Sequence, residues 1–196
     1  MAEEKKPRAR RSVSAKSNTA KNETISHQAV ADAEVKPATN DVPKRKVRQT
    51  LPLDTMVCCA SSVASGKLLY QSKRLQGCSF EWNGFGDEQY IELAELQSMR
   101  NAYPAFFEQN WILIDDKEVL SFLHADRFYK YIYSIEDFNR VFTYSPGQIE
   151  HIVPELSNGL KRSIASIARQ KYESGELDSM ARIKALERTT GFTILD

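Results

Sequence analysis

Any catalysis or metal binding in this chain would draw first on its three histidines, its three cysteines and adjacent carboxylates such as Asp87-Glu88 and Asp115-Asp116. Histidine is the usual general base near neutral pH. Here it stands at His27, His124 and His151, with no Gly-x-Ser-x-Gly turn nearby. His27 falls in a polar stretch. His124 closes one expected helix and His151 lies within another, where an imidazole is a favourable partner of the helix dipole. Cys58 and Cys59 are adjacent, and neighbours in a strand face opposite ways, so they do not share one ion. Cys78 is distant and no closely spaced histidine pair joins it.

Three cysteines, in a chain whose start has positive charge but no apolar run behind it, read as reduced, buried structural thiols of a cytosolic-type compartment. Asp115-Asp116 reads as a helix cap with a first-turn acid, and Asp87-Glu88 as turn polarity. Ser65-Gly66-Lys67 resembles the end of a phosphate loop, but the earlier glycine and the following helix are missing. No catalytic residue, metal ligand or cofactor is assigned, and the chain is expected not to be an enzyme. No apolar run approaches the roughly 18–20 residues of a membrane span, so no membrane partner is expected.

Charge is the more informative chemistry. Residues 1–50 hold twelve Lys/Arg against six Asp/Glu and no aromatic residue, whereas residues 51–196 hold fifteen against twenty. A segment with so little apolar surface cannot offset the entropy of ordering, and is expected to be a disordered basic arm. Its basic residues gather at Lys5, Lys6, Arg8, Arg10 and Arg11, and again at Lys44, Arg45, Lys46 and Arg48. Lysine and arginine neutralise phosphates and release counterions, so the arm is expected to contact nucleic acid or an acidic protein surface. Lys73 and Arg74, at a hairpin tip, would add contacts from the folded part.

The elements that would carry these groups are α+β. A β-rich region with one helix is expected over 51–116, and a helical region packed on it over 117–196. Thr55–Ser61, Lys67–Ser72, Cys78–Asn83 and Gln89–Leu93 read as a four-stranded antiparallel meander or a small SH3-like barrel. Cys78, Phe80 and Trp82 point to one side of the third strand. Phe85, between Gly84 and Gly86, either folds back over the barrel end or is a protein contact. Leu93, Leu96, Met99 and Tyr103 then share a helical face, Pro104 starts a new turn, and Trp111–Ile114 reads as a buried strand.

Three helix starts follow one grammar. Asp115 precedes Glu118 by three, Ser134 precedes Asp137, and Ser145 precedes Pro146 and Gln148. Ile114 with Val119, Tyr133 with Phe138 and Tyr144 with Ile149 flank these caps at the spacing of a hydrophobic staple. A final helix pair carries Leu160, Ile164, Ile167 and Ala168, then Leu177, Met180, Ile183 and Leu186, with Asp178 as a cap and Gly191 as the stop. That stripe is wider than one hairpin seam needs, so Ile167, Ile183 and Leu186 are expected at a contact with an identical subunit or with a larger assembly.

Gly66–Arg74, Phe85–Leu93 and Ser174–Ser179 resemble stretches of uncharacterised proteins of tailed bacteriophages, a likeness covering about residues 55–190. The resemblance implies a viral setting, in the virion or the host cytoplasm, and a structural or assembly role among other virion proteins. The alternative reading is a DNA-binding regulator using the C-terminal helices. There the second helix begins Asp178-Ser179-Met180, where a recognition helix would present base-reading side chains.

Overall fold

Period-two burial marks the first strand. In a computed structural model of the chain, which describes residues 51–195, β1 (Met56–Ser61) turns Val57 and Cys59 inward and Met56 outward. The arm positions Lys5, Lys6, Arg8, Arg10, Arg11, Lys44, Arg45, Lys46 and Arg48 lie outside the described residues. The class is α+β, as expected. Among the described residues, β2 (Leu68–Gln71) and β3 (Ser79–Trp82) form an antiparallel hairpin. β4 (Glu88–Glu92) and β5 (Ile112–Leu113) flank β1 on its two edges, both antiparallel to it.

The strand order therefore differs from a consecutive meander. After β1 the chain leaves the sheet, because Ser62 is drawn to the 110–111 turn: its N–H donates to the Trp111 carbonyl at 2.9 Å and its hydroxyl to the Asn110 carbonyl at 2.5 Å. The β2–β3 hairpin stands apart as a second sheet. Trp82 joins the two, fully buried, with Nε1 donating to the Cys59 carbonyl at 2.8 Å. Cys78 was expected inside with Phe80 and Trp82. It precedes the strand, belongs to the hairpin loop around Gly77 (φ +81), and is exposed. Trp111 is only half buried, its ring against Phe106 at 5.6 Å.

Helix α1 (Leu93–Ala102) buries Leu93, Leu96 and Met99 on the expected face. Each such side chain contributes about 1.5–3 kcal/mol of burial. Pro104 opens the short α2 (Ala105–Glu108), which buries Phe106 and Phe107. Helix α3 (Lys117–Phe122) is capped by Asp116, not Asp115: its carboxylate accepts from the Glu118 and Val119 amides. Burying Val119 and Leu120 sets the helix phase one residue later than the spacing to Glu118 suggests.

Ser134 caps α4 (Ile135–Arg140) and Ser145 caps α5 (Pro146–Ile152), the latter with a full capping box through Gln148. Ser157 caps α6 (Asn158–Glu173), a start that lacks the third-residue acid or amide and was not anticipated. α7 (Met180–Thr190) begins after Ser179 without a side-chain cap, so Asp178 does not serve there; Gly191 ends the helix at φ +77. Helix α7 packs on both α5 and α6. That contact buries the wide stripe within a single chain: Ile167 is 8 % exposed, while Ile183 and Leu186 are fully buried. These three are core residues, not a subunit contact. Met180 lies outside the core at 48 % exposure. Phe192–Leu195 form no strand, and the Ile194 and Leu195 amides close onto the Glu187 carboxylate.

Two glycines on helices separate the constrained positions from the free ones. A Cβ at Gly159 would lie 2.2 Å from the Gln109 carbonyl oxygen, whereas one at Gly147 would meet nothing within 4 Å. Gly159→Ala is expected to cost about 1–3 kcal/mol or more in a urea melt. Gly147→Ala is expected to be neutral or to stabilise by about 0.4–1 kcal/mol. Trp82→Ala should cost roughly 3–5 kcal/mol by the same measurement, and Trp111→Ala distinctly less.

Candidate protein-contact face

Few of the groups able to do chemistry meet. His124 sits exposed at φ +52 just after α3, and His151 lies exposed on α5. Cys59 is buried, and desolvation pushes its thiol far up; Cys58 is half-buried and raised first by burial and then by the Glu88 charge, so neither is a ready thiolate. Asp116 is committed to the α3 cap. Asp87 accepts from the Asn83 and Glu88 amides across its turn. Among the described residues no three His, Cys, Asp or Glu side chains are grouped to hold a metal.

The hairpin tip is engaged by its own body. Arg74 Nε donates to Glu95 at 2.9 Å, and another guanidinium nitrogen to Glu92 at 2.5 Å. Lys73 stands over the Tyr103 ring at 4.9 Å. Arg74 is therefore already paired with two carboxylates of the body. The reason is Glu95, which α1 carries into the interior at 1 % exposure and which also accepts from the Tyr70 hydroxyl at 2.6 Å. Burial pushes the Glu95 carboxyl up. Hydrogen bonds from Tyr70, Ser72 and Arg74 together outweigh this and hold it below its ordinary value. Phe85, the other expected contact, folds back, its ring 4.7 Å from buried Phe138.

One surface does converge. The register Met56↔Glu92, Cys58↔Tyr90 and Ala60↔Glu88 sets these side chains on the outer face of the β4-β1-β5 sheet. Met56 is 56 % exposed and Tyr90 60 %, the two most exposed large apolar side chains among the described residues. Beside them runs a groove of about 390 Å³, walled by the sheet, by Asp115-Asp116 after β5, and by the Tyr133–Glu136 turn that starts α4. Glu88, Asp115 and Glu136 line it, all exposed and without a cationic partner among the described residues. The sequence reading missed this face because it depends on β1 pairing with β4, about thirty residues on. The available signal was Tyr90 flanked by Gln89 and Ile91, an aromatic on the polar phase of a strand.

No protein-family model, curated protein or solved structure matches this chain.

The buried carboxylate makes a pH-dependent expectation. A folded pKa below the unfolded one means that ionised Glu95 stabilises fully above its unfolded value, and that this contribution is lost as pH falls through the folded value. The urea midpoint should therefore drop between about pH 5 and pH 3, with a shallower drop in Glu95→Gln. Parallel profiles would assign the acid loss to other groups.

Proposed function

We propose that the chain is a non-enzymatic structural or assembly protein: its α+β body makes protein contacts, and its basic N-terminal arm contacts polyanions. The observation that carries the reading is the outer sheet face, where Met56 and Tyr90 lie diagonal to one another across the β1–β4 register, both exposed, with Met56 bordering a groove. A large apolar pair left on a sheet whose other face is core is the mark of a surface awaiting a partner. The arm's twelve basic against six acidic residues supports the polyanion contact. The likeness of Gly66–Arg74, Phe85–Leu93 and Ser174–Ser179 to bacteriophage proteins supports a virion or host-cytoplasm setting.

Both halves of the reading can be tested on one preparation. A photocrosslinking residue in place of Tyr90 should give discrete protein adducts in producing cells, while the same group in place of exposed Ser121 on α3 should not. Binding to a DNA duplex over a salt series should lose most of its affinity, and several units of log–log salt slope, when residues 1–50 are removed. Adducts independent of position, together with an unchanged salt slope, would overturn the reading.

A further inference from the structure

We infer that the outer face of the β4-β1-β5 sheet receives an extended basic segment of a partner protein, in which apolar residues alternate with lysine or arginine. The inference rests on the proposed contact role of this face and names the chemistry of what it contacts. The floor is largely apolar: Cys58 faces Tyr90 across the β1–β4 register, and Met56, which faces Glu92, lies diagonal to Tyr90. The rim is mainly anionic: Glu88, Asp115 and Glu136 make no ion pair among the described residues, and the nearby cation Lys117 stands over the Tyr133 ring at 5.1 Å.

A lysine or arginine suits this pairing because its aliphatic stem lies on apolar surface while its head reaches a carboxylate. The Tyr90 ring adds a face for a cation. The groove's size, about 390 Å³, admits a few side chains of a single strand or loop rather than a folded domain. Like charge argues against nucleic acid and against a second copy of the face. Nucleic acid would bring phosphates to a carboxylate rim. A second copy applied about a two-fold axis would bring two copies of the same carboxylate-bearing face together.

The test titrates the full-length chain with two synthetic peptides, Val-Lys-Val-Arg-Val-Lys-Val and its acidic counterpart Val-Glu-Val-Asp-Val-Glu-Val, following backbone amide shifts and binding isotherms. The basic peptide is expected to bind, with shifts concentrated in Met56–Ala60 and Glu88–Glu92. Glu88→Lys combined with Asp115→Lys should weaken it at least about ten-fold, and Tyr90→Ala about five-fold with the salt dependence kept. These side chains are exposed, so melting should be unchanged. If the double reversal does not fold, Glu88→Gln with Asp115→Asn makes the same comparison. Binding of the basic peptide that survives the reversal, or lies elsewhere on the chain, overturns the inference. Preference for the acidic peptide on this face also overturns it, yet leaves the contact role standing. If neither peptide moves these amides, the inference and the contact role of the face both fall.

Discussion

The irregular turn Gln109–Trp111 holds this fold together, because an irregular backbone can be buried only if other elements supply its hydrogen bonds. Asn110 is fully buried in a left-handed conformation, φ +51. Its carbonyl takes the Ser62 hydroxyl, and its side-chain amide donates to Phe128 at 3.2 Å. The Gln109 carbonyl takes Ser157, and the Gln109 side chain takes the Gly159 amide at 3.1 Å, filling the start of α6. Strand β1's exit, the 126–128 turn and the longest helix are thereby fixed to three residues. Leaving the fully buried members of this set unpaired costs about 1–3 kcal/mol each, and Asn110 Oδ1 alone in the turn is buried without a hydrogen-bond partner among the described residues. The glycine at 159 is the steric condition: only a residue without a Cβ lets α6 approach Gln109 so closely.

The same requirement explains why a cation at the hairpin tip is engaged by the body of the protein. Helix α1 puts Glu95 on its buried face, between Leu93 and Leu96 in sequence. An ionised carboxylate there is tolerable only with charge and hydrogen bonds supplied, which Arg74 and Tyr70 provide from the hairpin. Sequence alone presents Lys73-Arg74 as a pair of exposed cations. Only the non-local approach of α1 to the hairpin reveals that one of them is already engaged.

What was legible followed from local rules. Ser134, Ser145, Pro104 and Gly191 perform the capping and punctuation read from their spacing, because these contacts close within a turn of chain. The helical faces of α1 and α6 were likewise set by period. Strand order was not legible, since nothing in β1 states that its neighbours are β4 and β5 rather than β2. The Asp115-Asp116 choice shows the limit within one helix: both residues satisfy a cap motif, and burial of Val119 with Leu120 decides between them. The contact face was illegible for the same reason as the strand order, being made by the β1–β4 register and the distant α4 turn.

The misplacement of the expected interface follows from how apolar stripes are consumed. The stripe on α6 and α7 exceeded one helix–helix seam, which suggested a second subunit. Helix α5, preceding both in sequence, supplies the second seam internally: Ile149 is fully buried, α7 lies against α5, and Arg188 pairs with Glu150 between them. With that stripe spent in the core, the most exposed large apolar side chains among the described residues are Met56 and Tyr90 on the β sheet. An exposed apolar floor alone would invite indiscriminate association. In the proposed contact, Glu88, Asp115 and Glu136 along the adjoining groove would set like charge against a second copy of the face and so act as a filter on which partners approach. In the proposed contact the selectivity would come from the carboxylate rim and the contact area from the floor, and strand register brings the two together.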